Sequence, residues 1–133
     1  MIADQISILL VEDDDLDADI VRRSLSKQKI TNPLVRARDG LEALKILRGS
    51  ESQEGLKRPY LILLDLNMPR MSGVEFLDEI RQDEQLRESM IFVLSTLPDA
   101  PGLLEGHEKE ITGYLTKGAF SETFVNHLNS LKP

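Results

Sequence analysis

The chain of 133 residues carries a net charge of −7 and contains 41% hydrophobic and 29% charged residues, as expected of one globular domain spanning residues 1–133. Its Lys and Arg residues are scattered, so it lacks the basic stripe that nucleic-acid phosphates require, and no apolar run approaches the roughly 18 to 20 residues of a membrane helix. With no cysteine and no secretory signal, it offers no disulfide framework or thiolate metal site, and we expect a cytoplasmic protein that contacts neither nucleic acid nor membrane.

The first half of the chain predicts two strand–helix units. SILLV (7–11) is a continuous β-rich apolar run, which indicates a strand buried on both faces, and PLVRA (33–37) predicts a weaker strand. A helix follows each strand, with apolar residues at helical spacing: Ile20, Val21 and Leu25 in the first, and Leu41, Leu44 and Leu47 in the second. Asp39 and Glu42 have the spacing of a capping box and mark the start of the second helix.

The second half continues the same alternation. YLILLDL (60–66) and IFVLST (91–96) are again continuous apolar runs, and TGYLT (112–116) predicts a weaker last strand. A capping box at Ser72 and Glu75 marks another helix start. The apolar faces of the helices in this half comprise Phe76, Leu77 and Ile80, and then Phe120, Phe124, Val125, Leu128 and Leu131.

Five β-α repeats predict an α/β domain with a parallel sheet, helices on both faces and right-handed crossovers. Two segments depart from the pattern. GSESQEGLKRP (49–59) is polar and predicts a surface loop, whereas 97–111 contains two prolines and two glycines where a fourth helix belongs. We expect that helix to be short, late-starting or broken.

Polar residues follow the predicted strands where a doubly wound sheet binds its ligands, beyond the carboxyl ends. They are Glu12 to Asp15 after the first strand, Asp65 at the third, Ser95 and Thr96 at the fourth, and Thr116 and Lys117 at the fifth. If the first and third strands are neighbours, Glu12, Asp13 and Asp65 converge on one pocket. Carboxylates this close repel one another, and a hard divalent cation such as Mg²⁺ would relieve the repulsion.

The same residues could support phosphoryl transfer. A carboxylate can attack phosphorus and form an aspartyl-phosphate. That step depends on positioning and charge neutralisation, which a metal ion, the ammonium of Lys117 and the hydroxyl of Ser95 or Thr96 could supply. Taken singly, Asp13 to Asp15 could be only a helix N-terminal cluster, and Tyr114 only half-buried packing.

Four segments, in this order and at these separations, resemble the receiver domain of two-component response regulators: VEDD (11–14), LLDLNMPRMSG (63–73), LST (94–96) and YLTK (114–117). The resemblance covers essentially the whole chain and implies a flavodoxin-like, doubly wound five-stranded sheet of order 2-1-3-4-5 without an output domain. ILLDLNMP (62–69), the long loop at 49–59 and the end of the chain after its last helix resemble the small bacterial-type regulators that partner phytochrome-type histidine kinases.

The resemblance implies a role for each site residue. Asp65 would accept the phosphoryl group, Ser95 and Lys117 would contact it, and Ser95 and Tyr114 would act in the switch. The Mg²⁺ ligands that it implies are Glu12, Asp13, Asp65 and the backbone carbonyl of Asn67. Gly118 stands where the family usually has proline after the lysine, which would place Lys117 less firmly. The composition of 97–111 implies a remodelled output surface.

Two classes of function fit these residues. One is a phospho-accepting signalling switch, not a turnover enzyme, that receives its phosphoryl group from a histidine kinase and acts through a downstream protein, a phosphotransfer protein or a homodimer. The other is a phosphatase or phosphotransferase with an aspartate nucleophile. Such hydrolases need a second acid two residues after the nucleophile, and the amide of Asn67 cannot transfer that proton. Asn67 therefore favours the switch.

Overall fold

The computed structural model describes residues 6–49, 55–56, 60–65, 73–95 and 111–116. The elements in these segments are β1 (Ser7–Val11), α1 (Asp15–Lys27), β2 (Leu34–Ala37), α2 (Gly40–Arg48), β3 (Tyr60–Asp65), α3 (Gly73–Gln82), β4 (Met90–Ser95) and β5 (Gly113–Thr116). Each predicted strand is confirmed to within one residue at either end. The helices predicted in 97–111 and around 120–131 lie outside the described residues. Within the described segments, no helix has both the length and the apolar character needed to cross a bilayer.

The five strands form one parallel sheet in the order β2-β1-β3-β4-β5, which confirms the predicted fold class. The central feature is the pairing of β1 with β3, two strands far apart in sequence. In this pair Val11 lies beside Leu64, so the residues that follow, Glu12 and Asp65, emerge side by side at the carboxyl edge of the sheet. The first and third strands are therefore neighbours, which is the condition for the predicted acid pocket.

Two hydrophobic layers sandwich the sheet. Side chains of β3 alternate between them, with Leu61 and Leu63 on the face covered by α1, and Ile62 and Leu64 on the face covered by α2 and α3. Every residue of β3 is buried. This burial on both faces explains why the strand reads as a continuous apolar run and not as an alternating one.

Two residues of the predicted apolar helix faces are exposed. Ile20 in α1 is 40% exposed and Leu41 in α2 is 43% exposed. Each helical residue turns the side chain by about 100°, and both residues lie about 110° from the centre of the buried face of their helix. Residues of small or polar type complete those faces instead: Ala18 and Ser24 in α1, and Gly40 and Ala43 in α2. The prediction for α3 is confirmed, since Phe76, Leu77 and Ile80 are buried.

Local side-chain and backbone contacts define where the helices start and stop. Asp39 caps α2 by accepting a hydrogen bond from the Glu42 backbone N–H at 2.9 Å, which confirms that predicted helix start. The other capping box includes Ser72, which lies outside the described residues. Helix α1 ends in a Schellman turn, in which the Ile30 N–H donates to the Leu25 carbonyl at 2.9 Å. Lys29 occupies the left-handed position of that turn with a φ of 59°.

Candidate functional site

Three carboxylates meet at the carboxyl edge of β1 and β3. Glu12 and Asp13 follow directly after β1, and Asp65 is the last residue of β3. One carboxylate oxygen from each residue lies within 4.8 Å of those of the other two. Glu12 is fully buried, Asp65 is 9% exposed and Asp13 is half-buried. The structure thus brings together the three acids that the sequence placed in one pocket.

The backbone of Glu12 is held by the neighbouring strand β2. Its N–H donates to the Ala37 carbonyl at 2.9 Å, and its own carbonyl accepts a hydrogen bond from Nε of Arg36 at 3.0 Å. Two residues further on, Asp14 caps α1 by accepting a hydrogen bond from the Leu16 N–H at 3.2 Å. The segment that carries the first two acids is therefore fixed both to the sheet and to the start of α1.

Arg36 joins the two ends of this segment. Besides its bond to Glu12, its Nη1 donates to Oδ1 of Asp15 at 2.6 Å, and Nη1 of Arg38 lies 3.5 Å from the same oxygen. The hydrogen bond from Arg36, followed by the charges of Arg38 and Arg36, lowers the pKa of Asp15 below its ordinary value. Only 13% of the Arg36 side chain is exposed, and its Nη2 is buried without a hydrogen-bond partner among the described residues.

Arg36 was not among the predicted site residues. It precedes the last residue of β2, whereas the predicted site residues lie at or after the ends of strands. The pattern Arg36-Ala37-Arg38 also looks like an ordinary exposed strand edge. Arg36 could have been identified from its place in a weak edge strand, because the long side chain of an arginine there can reach over the end of the neighbouring strand.

The donor set fits a hard divalent cation. The cluster offers carboxylate oxygens, the ligand type preferred by Mg²⁺ and Ca²⁺, and neither nitrogen nor sulfur ligands. Two of the three acids are withdrawn from water, so their mutual repulsion is poorly screened and a cation between them would be strongly favoured. Glu12, Asp13 and Asp65 are therefore the described residues that could hold a metal ion.

The structure describes only some of the remaining predicted site residues. Ser95 ends β4, one residue beyond Leu94, which is paired with Asp65, so its backbone lies at the same edge of the sheet as the acids. Tyr114 lies on β5 and is 44% exposed. Asn67, Thr96 and Lys117 lie outside the described residues. The proposed roles of these residues stay predictions.

Comparison with known proteins is consistent across sequence and structure. A family model described as "Response regulator receiver domain" matches residues 8–129. Response regulator Rcp1 of Synechocystis sp. is 39% identical over 110 residues, which cover 83% of this chain and 75% of Rcp1. The structure of the Mn²⁺-bound form of Rcp1 has a TM-score of 0.70 at 34% identity, covering 92% of this chain and 88% of that one.

Two further solved structures are similar over nearly the full chain. The bacteriophytochrome response regulator AtBRR has a TM-score of 0.80 at 28% identity, covering 94% of this chain and 91% of its own. The phosphorylated cyanobacterial phytochrome response regulator RcpA has a TM-score of 0.69 at 32% identity, covering 94% of this chain and 87% of its own. The family match includes every residue of the acid cluster. The chain is thus a member of the response regulator receiver domain family of two-component signalling, as its motifs indicated.

Proposed function

We propose that this protein accepts a phosphoryl group on Asp65 in a Mg²⁺-dependent reaction and thereby switches its contacts with other proteins. The observation that supports this best is the convergence of Glu12, Asp13 and Asp65 within 4.8 Å at the carboxyl edge of the sheet. The similarity to a Mn²⁺-bound Rcp1 and to a phosphorylated RcpA is in keeping with both parts of the proposal.

Glu12, Asp13 and Asp65 would hold the metal ion, together with the backbone carbonyl of Asn67. When bound, Mg²⁺ would neutralise the carboxylates and the oxygens of the incoming phosphoryl group. The chain itself contributes rigidity: Glu12 is tied to β2 through both its N–H and its carbonyl, and Asp65 ends a strand buried on both faces. Fixed ligands suit Mg²⁺, which demands near-octahedral geometry.

Asp65 would act as the nucleophile. One of its oxygens attacks the phosphorus of a phosphohistidine, the bond from phosphorus to the histidine nitrogen breaks, and the nitrogen retains the electron pair. We assign Lys117 to the charge on the transferred group, and Ser95 to a hydroxyl contact with it that forms the switch together with Tyr114. Ser95 is suited to that contact because its strand, β4, lies next to the strand that carries Asp65.

The donor in this proposal is a histidine kinase of the phytochrome type. The names of AtBRR and RcpA identify them as response regulators of bacteriophytochrome and of cyanobacterial phytochrome. We infer that the protein works in the cytoplasm and passes its signal to a downstream protein, to a phosphotransfer protein or to a second copy of itself. It would catalyse only its own phosphorylation and dephosphorylation.

The alternative is a phosphatase or phosphotransferase that uses Asp65 as a turnover nucleophile. Asn67 counts against this, because an amide cannot donate or accept the proton that leaving-group departure and water attack require. A switch needs the opposite property, an aspartyl-phosphate that persists. The two functions therefore differ in whether phosphate accumulates on the protein or is released continuously.

Intact-mass measurement with acetyl phosphate tests the proposal. We expect one phosphoryl adduct in the presence of Mg²⁺, none in EDTA, and none in Asp65→Asn. Asp14→Asn is the matched control, because it removes an acid next to the cluster and keeps a residue that caps α1. An adduct of equal yield in Asp65→Asn would contradict the assignment, and continuous phosphate release without an adduct would favour the phosphatase.

A further inference from the structure

A single guanidinium spans the segment that carries two of the three site acids. Nε of Arg36 donates to the carbonyl of Glu12 at 3.0 Å, and Nη1 donates to Asp15 at 2.6 Å. These two contacts lie on either side of Asp13. The turn 12–15 is thus fastened at both ends by one side chain from β2, and Asp13 lies between the two fastenings.

The Arg36 side chain does not look like a feature that serves stability alone. It is 13% exposed, and its Nη2 is buried without a hydrogen-bond partner among the described residues, which costs desolvation free energy. Asp15, its acidic partner, is 73% exposed, and an ion pair with so exposed a carboxylate stabilises a fold little. What the guanidinium contributes specifically is the geometry of its rigid fork, which an ammonium cannot reproduce.

We propose that Arg36 is a positioning residue for the cation site, in that it holds the turn 12–15 in the geometry which Mg²⁺ binding at Glu12, Asp13 and Asp65 needs. This role presupposes the Mg²⁺ site proposed above. Residues that orient metal ligands without touching the metal commonly change its affinity strongly when replaced. Arg36 acts here through the backbone of Glu12 and through Asp15.

Electrostatics and positioning predict opposite effects of replacing Arg36. A positive charge beside a cation site repels the incoming cation, so removing it should tighten Mg²⁺ binding if charge alone mattered. If Arg36 positions the turn, its removal should weaken Mg²⁺ binding despite the lost repulsion. Arg36→Lys separates the effect of charge from that of positioning, because lysine keeps the positive charge but lacks the forked geometry of the guanidinium.

Isothermal titration calorimetry with Mg²⁺ alone provides the test. We expect Arg36→Lys to bind Mg²⁺ about tenfold more weakly than the wild type. Arg38→Met is the control for charge, since Arg38 lies 3.5 Å from Asp15 and is 62% exposed. Loss of that repelling charge should leave Mg²⁺ affinity equal or slightly tighter.

Titration with Ca²⁺ distinguishes positioning from general damage. Ca²⁺ accepts flexible coordination, whereas Mg²⁺ does not, so a loosened turn should lower Mg²⁺ affinity more than Ca²⁺ affinity. A partly unfolded or merely destabilised protein would lose both in proportion. Unfolding by urea in EDTA, followed by circular dichroism, then reports the stability of each variant without metal.

A second pair of variants keeps the test valid if Arg36→Lys does not fold. Asp15→Asn and Asp15→Ala remove the same charge from an exposed position, but only the amide can still accept the hydrogen bond from Arg36. Positioning predicts weaker Mg²⁺ binding in Asp15→Ala than in Asp15→Asn.

The outcomes separate this inference from the proposed function. If the wild type binds no Mg²⁺, or binds it equally well after Asp13→Asn, the proposed cation site is wrong. If the wild type binds Mg²⁺ and Asp13→Asn abolishes binding, but Arg36→Lys and the Asp15 pair leave the ratio of Mg²⁺ to Ca²⁺ affinity unchanged, the positioning role of Arg36 is overturned.

Discussion

Repulsion within the acid cluster should destabilise the metal-free protein, so replacing one of the three acids should raise its free energy of unfolding. Asp13→Asn removes one of three carboxylates whose oxygens lie within 4.8 Å of one another, while preserving size and shape. We therefore expect this variant to be more stable than the wild type in EDTA and less stable in saturating Mg²⁺. This reversal of the order of stability between EDTA and Mg²⁺ would show that the cluster serves cation binding and does not stabilise the fold.

The size of the effect follows from the spacing. At 4.8 Å and an effective dielectric constant of about 20, each carboxylate pair repels by about 3.5 kcal/mol. Asp13 belongs to two pairs, but it is half-buried and water and salt screen it, so we expect a gain of about 1 to 2 kcal/mol in EDTA. If the protein binds Mg²⁺ as proposed, Mg²⁺ at about 100 times its Kd would stabilise the wild type by about 2.7 kcal/mol, and the variant should lack that gain.

Urea unfolding followed by circular dichroism measures both quantities, in EDTA and in Mg²⁺. Asp14→Asn serves as the control, since Asp14 lies one residue away, outside the cluster, and Asn caps a helix equally well. Its effect should stay within about 0.5 kcal/mol under both conditions. If Asp13→Asn were no more stable than the wild type in EDTA and still gained stability from Mg²⁺, the mutual repulsion and the shared cation site would both be refuted.

Three further predictions concern the scaffold. Lys29→Gly should stabilise the protein by about 0.5 to 1 kcal/mol in urea unfolding, because the left-handed φ of 59° suits glycine, whereas Lys27→Gly within α1 should destabilise it. Asp39→Ala should cost about 1 kcal/mol through the lost cap of α2, and Asp39→Asn should retain most of it. Hydrogen bonds from the Gln85 N–H and then from Arg48 lower the pKa of Asp83 below its ordinary value of 3.8. The ionised Asp83 carboxylate therefore stabilises the folded state above pH 3.8, and this stabilisation is lost as the pH falls below 3.8. The free energies of unfolding of the wild type and Asp83→Asn, measured with urea, should converge at that low pH.

The sheet was predictable because the continuous apolar composition of its strands indicates burial on both faces. Tyr60–Asp65 is apolar at every position before its last, and only a strand covered on both faces tolerates that. Helical faces were predicted less well. Ile20 and Leu41 are large and apolar, yet each lies on the solvent side, while the small Gly40 and the polar Ser24 are buried. Their burial depends on how closely the helix approaches the sheet, which spacing alone does not encode.

The acid cluster was predictable only as far as strand order was known. Glu12 and Asp65 meet because β1 and β3 are neighbours, a fact that neither strand's own sequence contains. Arg36 was missed for a related reason. Its contacts with Glu12 and Asp15 cross from β2 to the residues that follow β1, and such contacts are fixed by tertiary geometry and not by local pattern.

The pairing of β1 with β3 also bears on how the protein folds. Glu12 and Asp65 come from strands separated by a whole β-α unit, and they lie together only when the register sets Val11 beside Leu64. A slip of one residue would turn the β3 side chains to the opposite layer and carry Asp65 away from Glu12. Parallel pairing over such a sequence distance is slow, because closing a long loop costs conformational entropy before the strand contacts form. The proposed cation site should therefore form late in refolding, and the onset of Mg²⁺ affinity would mark the moment when the centre of the sheet has paired in register.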